Sequence, residues 1–413
     1  MANQDSNIAQ PKVLLPKTYT NHTKKATTTF LLVQFIGFYL FGGLRAVYPL
    51  ILEIFYQLPE EQVIVNWAMI YSFGQLIGFF TRLPMGIIVD RFSRKASLVL
   101  AGFFSLISFV GFLFTDNVIF LALLFGLNRT GTHIYPLISR GYVKETDPKH
   151  HGRLNGWIML SANLGSLLGP IGLAFLIEIS TETMIFITAV FIIVSNIIIM
   201  FLTPNKTKFP KMTVLDQLKL SFHEVWKIKS ISSLYIINGL FSGIFSAIQV
   251  PYLRYQFGLD SATIGIFVGI STVGSMVLLF IFSELIDKLG VRILIIFGLL
   301  IETIGASLLL LSPKDLLAFV LVYILLQAGV QTITTAATTH FSLHVTKITF
   351  STSFGIVTSF FFLGSSIVPP IAGELYIIDP VSPYYLIFVM AIVILAGFLL
   401  LTKKSFNQPI VLD

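Results

Sequence analysis

The chain contains no cysteine, so neither a disulfide framework nor a thiolate metal site can organise it, and cysteine usage leaves its redox compartment open. Charge is nearly as scarce. Only 11% of residues are Asp, Glu, Lys or Arg, against roughly 25% in an ordinary soluble domain, so most of the surface must face lipid rather than water. There is no Gly-x-x-x-x-Gly-Lys-Ser/Thr phosphate loop, which excludes a pump of the usual ATP-driven kind. No grouping of nucleophile, base and acid points to an enzyme. The formal charge of +7 is spread over short loops rather than gathered on one patch, which argues against nucleic acid. No cofactor or metal is expected: His340 and His344 stand at i, i+4 but without carboxylate neighbours.

What is present is a series of long apolar runs. A bilayer core of about 30 Å needs about 20 apolar residues per helix, and twelve runs of that order occur, at about 28–56, 63–89, 96–115, 117–142, 155–178, 183–203, 231–256, 262–287, 291–311, 315–341, 350–375 and 382–402. The expected fold is an all-α membrane protein. Lys and Arg collect in the loops on one side, while the loops on the other hold only Arg254 and Lys314, which predicts cytoplasmic termini. Residues 1–27 are polar and lack the apolar core of a signal peptide. The predicted organisation is a cytoplasmic tail (1–27), a six-helix bundle (28–203), a linker (204–230), a second bundle (231–402) and a short tail (403–413). Within the linker, Val214, Leu215, Leu218, Phe222 and Val225 recur at helical spacing beside Lys219, Lys227 and Lys229, predicting an amphipathic helix at the membrane surface.

The two bundles repeat. Asp90 is echoed by Asp287, Leu164-Gly165-Ser166 with Pro170 by Leu363-Gly364-Ser365 with Pro369, and Leu58 by Leu259, all at nearly one offset. Parallel halves of this kind place a solute site near the midplane between them, and rocking of the halves alternates access.

The loop after the second span reads Gly86-Ile87-Ile88-Val89-Asp90-Arg91-Phe92-Ser93-Arg94-Lys95 and resembles the signature of the major facilitator superfamily. The resemblance implies twelve transmembrane helices in two pseudo-symmetric six-helix bundles. It also implies a charge network that locks one conformation, with Gly86, Asp90, Arg91 and Arg94 in those roles and Arg140 as a partner. In the fifth span, Gly156, Gly165, Gly169-Pro170 and Gly172 resemble the family's antiporter motif, which implies proton-coupled export. The family's fourth-span Arg has no counterpart, since Leu124 stands there.

Arg45 and Arg129 fall near the middle of the first and fourth spans, with His133 one turn from Arg129. An Arg at that depth costs roughly 2.5–3.5 kcal/mol on insertion scales, so it normally faces a wet cavity or pairs with a buried acid. The first reading makes these residues a site for a small solute, with an anion as the candidate that would complete the pair. Polar stripes in the seventh span (Asn238, Ser242, Ser246, Gln249) and the tenth (Gln327, Gln331, Thr335, Thr338) either bind that solute or join helices. Glu302, alone in the ninth span, and His133 are the candidates for coupling to H+.

The expected function is secondary active transport of a small organic solute across the plasma membrane by a monomer. Efflux in exchange for protons is the first reading, uptake or exchange of an organic anion the second, and a non-transporting sensor on the same fold the third.

Overall fold

The computed structural model describes residues 19–145, 151–203, 212–289, 291–311, 314–346 and 349–401. Residues 1–18 of the first expected tail, the whole of the second (403–413) and residues 204–211 of the linker lie outside them. The described residues form thirteen α-helices and no strand. The first half holds α1 (Tyr19–Ile54), α2 (Glu60–Arg91), α3 (Arg94–Gly111), α4 (Val118–Glu145), α5 (His151–Ile179) and α6 (Thr181–Leu202). A short α7 (Val214–Lys227) follows. The second half holds α8 (Lys229–Pro251), α9 (Ser261–Leu289), α10 (Val291–Leu311), α11 (Leu316–His344), α12 (Phe350–Ile378) and α13 (Ser382–Leu401). Helix α1 starts ahead of the predicted position 28, because the polar Thr-rich stretch before the apolar run is itself helical.

Ten of these helices are long and apolar enough to cross a membrane. Two more long helices complete the twelve. In α4 the run from Asn128 to His133 dilutes the mean hydropathy, and in α9 the described apolar stretch is the shorter Ser261–Val277. Large apolar side chains such as Phe80, Phe114, Phe186, Phe201 and Ile378 are exposed. That outer surface suits a protein whose solvent is lipid and whose backbone polar groups are satisfied within helices.

Small residues set the packing. In α5, a Cβ on Gly165 or Gly169 would strike the backbone of α1 at Phe35 and Tyr39. In α12, a Cβ on Gly364 would strike the backbone of α8 at Ile236 and Leu240. Helix pairs α1–α5 and α8–α12 are therefore the same close-packed unit used twice, as backbones can approach only where no side chain intervenes. Between the halves, α2 lies along α12 and α5 along α9, with Gly86 against Ser351 and Gly265 against Pro170.

The turns repeat as well. Gln57 (φ 53°) and Gly258 (φ 65°) take left-handed backbone, and the next residue of each turn bonds back six positions, Leu58 N–H to Leu52 O (3.2 Å) and Leu259 N–H to Leu253 O (3.3 Å). A left-handed residue at the helix end is the usual C-terminal stop, and here the closing bond spans one residue more than the 6→1 bond of a Schellman motif. Before the second turn, Pro251 supplies no N–H and the chain loosens into a π-turn at Tyr252–Gln256.

The end of the bundle where α1 begins is the tail face, and the end that carries the two matched turns is the far face. On the tail face α7 is amphipathic, with Gln217, Ser221, Glu224 and Val225 buried while Leu215, Phe222 and Trp226 are exposed.

Candidate functional site

A cavity of about 230 Å³ lies between the halves. It is lined from α1, α2, α4 and α5 on one side and from α8, α9, α11 and α12 on the other. Arg45, Arg82, Arg129, Arg140 and His133 all contribute to its wall, and among the described residues no Asp or Glu does. Arg129 donates to Gln75 Oε1 from Nε (3.2 Å) and from its terminal nitrogen (2.8 Å), with its guanidinium 3.7 Å from the Phe41 ring centre. Arg82 donates to Thr358 Oγ1 (2.8 Å) and to the His133 carbonyl (3.1 Å). Arg45 reaches across to α8, to Ser246 Oγ (3.3 Å) and Gln249 Oε1 (3.5 Å). His133 lies against Phe362, ring centres 4.1 Å apart and planes inclined by 37°, and both its ring nitrogens are buried without a hydrogen-bond partner among the described residues.

The second half answers with neutral groups. Gln327, Gln331, Thr334, Thr338 and Ser242 line the cavity together with Phe354, Phe361 and Phe362. Asn238 does not, which corrects its expected place in the site. Its amide donates to Val330 O (3.1 Å) and to Thr334 Oγ1, so it joins α8 to α11. Gln249 lies behind the wall and touches the site through Arg45.

The tail face is tied across the halves by Asp90. Its carboxylate accepts the N–H groups of Ser351 (3.3 Å) and Thr352 (2.8 Å) and the Thr352 hydroxyl (2.7 Å). These are N–H groups of the first turn of α12, where unpaired donors and the helix dipole favour a negative charge. Helix α7 completes the joint. Gln217 donates to Asp90 (3.3 Å) and Thr352 Oγ1 (2.7 Å) and accepts from Arg91 Nε (2.9 Å). Glu224 accepts from Thr346 N (3.2 Å), Thr349 Oγ1 (2.8 Å) and Ser353 Oγ (2.9 Å). Arg94 is buried over the rings of Phe30 and Tyr142, 5.3 and 5.8 Å from their centres.

Among the described residues Arg140 makes no contact with this joint, contrary to expectation. It bonds Met159 Sδ at 3.0 Å, lies 5.5 Å from the Phe354 ring centre and faces the cavity. The surroundings of Gly156 and of the Asp287 side chain lie outside the described residues. On the far face, Arg254 in the π-turn grips Glu53 at 2.9–3.0 Å, and Trp67 Nε1 donates to Ser246 O at 3.1 Å.

Two helical halves enclosing a central cavity are what the family resemblance implies, and the sequence comparison decides it. The family profile described as Major Facilitator Superfamily matches residues 29–229 and 231–410. The chain belongs to the Major Facilitator Superfamily. It is thus a multi-pass membrane transporter of small molecules and not an enzyme. Multidrug resistance protein 1 of Bacillus subtilis (strain 168) is 24% identical over 368 residues, covering 88% of this chain and 92% of that protein. The superfamily fold is shared with a crystal structure of the human organic anion transporter MFSD10 (TETRAN), with TM-score 0.71, 14% identity, and coverage of 91% of this chain and 99% of that one. It is shared also with the nucleoside transporter NupG, with TM-score 0.70, 12% identity, and coverage of 92% and 100%.

Within this superfamily architecture, sequence reasoning overlooked Arg82, Gln75, Gln217 and Glu224. Arg82 carried a legible signal, a charge inside the second apolar run. Gln217 and Glu224 carried a weaker one, polar residues on the face of α7 opposite its apolar stripe. Glu302 is buried with both carboxyl oxygens lacking a hydrogen-bond partner among the described residues. It packs against Gly329 of α11, away from the cavity wall.

Proposed function

We propose that this transporter carries a small organic anion by alternating access of the arginine-lined cavity. The observation that carries the reading is the charge census of the described wall: four arginines and a histidine, no carboxylate, and polar neutral groups opposite. An Arg at such depth is retained where it meets water, an anion or a functional partner, and among the described residues each meets only neutral groups. The volume lies below the roughly 300–1,000 Å³ of sites for drug-sized ligands, which favours a compact solute. The neighbouring fold of an organic anion transporter agrees with this class.

Export in exchange for protons is the direction we favour, on the glycine pattern of α5 and the multidrug resistance relative. Uptake or anion exchange would use the same wall. His133 is the proton carrier in this proposal, because it alone among the described histidines lines the cavity, whereas Glu302 lies apart. We place the protein in the plasma membrane as a monomer, tail face cytoplasmic, with the bundle divisions predicted from sequence.

The test is transport in proteoliposomes under an imposed pH gradient, with labelled organic anions, amphipathic cations and nucleosides in parallel. Transport of anions, weakened by Arg45→Ala and Arg129→Ala, is expected. Transport of cations alone, or anion affinity unchanged in both variants, contradicts the proposal.

A further inference from the structure

We infer that the transported solute is a dianion, with its two charges at opposite ends of a short apolar body. The inference rests on the anion reading above and narrows it. Arginine does not give up its proton in proteins, so the wall carries four fixed positive charges. Among the described residues each is bound only to neutral groups: Arg45 to Ser246 and Gln249, Arg82 to Thr358 and a carbonyl, Arg129 to Gln75, and Arg140 to a thioether. Buried charge without a counter-charge is costly. A single monoanion leaves most of that charge uncompensated.

The charges are also spread along the cavity rather than gathered at one point. Arg129 and Arg140 are on one helix, eleven residues apart, which is about 16 Å along its axis. Two rings of α12 stand between the guanidinium groups. Phe362 has Arg129 and Arg82 at 5.3 and 5.5 Å from its centre, and Phe354 has Arg82 and Arg140 at 5.9 and 5.5 Å. Cations and rings alternate, each ring offering its negative face to a cation held otherwise by neutral groups. The result is two stations. Arg45 and Arg129 form one, with Ser246 and Gln75 as their present acceptors. Arg82 and Arg140, which share the Phe354 ring, form the other, with Thr358 bonded to Arg82.

Between Arg129 and Arg82 lies the Phe362 ring with His133 against it, while Phe41 lies against Arg129 and Phe361 also lines the cavity. An apolar, flat body fits that stretch, and an anionic group at each end would replace the weak neutral acceptors with charge-assisted bonds. Dicarboxylates on a ring or a short chain are the class described.

Calorimetric titration of the purified full chain with two matched pairs tests this at fixed pH and chloride: terephthalate against para-methylbenzoate, and adipate against hexanoate. The dianion of each pair should bind with one molecule per chain and at least about tenfold more tightly, the worth of one charge-assisted contact. Arg140→Gln should narrow the gap to about threefold or less, and Arg82→Gln provides the same reading should Arg140→Gln fail to fold. Equal affinities within each pair overturn the inference, as does binding of two monoanions per chain with no advantage for the dianion. Binding of neither member, with cations bound instead, overturns the anion reading and the dianion with it.

Discussion

Glu53 and Arg254 are 201 residues apart and bonded at 2.9–3.0 Å, and 201 is the spacing that separates the matched turn residues Gln57 and Gly258. The two side chains therefore hold equivalent places in the two halves and meet across the axis that relates them. Arg45 and Ser246, also 201 apart, meet the same way one layer deeper. Contacts on such an axis must break whenever the far face opens, so they set part of the energy difference between the two access states.

The pair is partly exposed, its side chains 28% and 23% accessible, so its worth is modest, about 1 kcal/mol. Glu53→Gln should shift the ratio of far-face-open to far-face-closed molecules roughly fivefold towards open. The charge-reversed pair Glu53→Arg with Arg254→Glu should restore part of the closed population. Distance distributions between spin labels on the first and fourth far-face turns measure both.

Asp90 has the opposite effect because it closes the other end. Asp90→Asn keeps the shape but removes the charge received by the first turn of α12, and charge-assisted bonds of this kind contribute about 1.5–3 kcal/mol. The tail face should open more often, by roughly tenfold or more, and transport driven from the far face should fall. The same spin-label measurement on the tail face reads the first effect and a proteoliposome assay the second.

Gly86→Ala tests whether the halves touch through backbone. Its new Cβ would lie 2.6 Å from Ser351 O and 2.9 Å from Thr352 Cα, neither of which is a flexible tip. A cost of about 1–3 kcal/mol in the closed state is expected. Gly141→Ala meets only the Ser351 hydroxyl at 3.3 Å and should be mild. Melting temperatures of the two variants, compared in one detergent, give the ordering.

Glu224→Ala should lower the melting temperature as well, since it deprives Thr346, Thr349 and Ser353 of their acceptor at about 1–3 kcal/mol for a buried unpaired group. Glu224→Gln, which keeps an acceptor oxygen, should lose less.

Much of this was legible because lipid is a simple solvent to read against. Apolar runs of bilayer length marked the helices, and the glycines of α5 announced close packing before any partner was known. The partner itself, α1, was not legible, since a glycine spacing names a face and not what lies on it. Arg140 was misread for a related reason. Its place near the loop suggested the tail-face network, yet positions 129, 133 and 140 share one face of a 3.6-residue helix, and that periodicity pointed at the cavity. The acceptor Gln75 had no such signal, because a neutral amide in an apolar run is equally suited to helix packing and to holding a cation.

The central claim is that the arginine-lined space is a solute chamber reached by water from one face at a time. The native chain lacks cysteine, so a single Ser242→Cys in the cavity wall can be labelled with a charged maleimide from either side of a sealed vesicle. Labelling that an organic dianion suppresses, and that Glu53→Gln and Asp90→Asn redistribute between the two faces, is the predicted result. A cysteine there that no aqueous reagent reaches from either face, or that reacts at the same rate with and without anion, contradicts it.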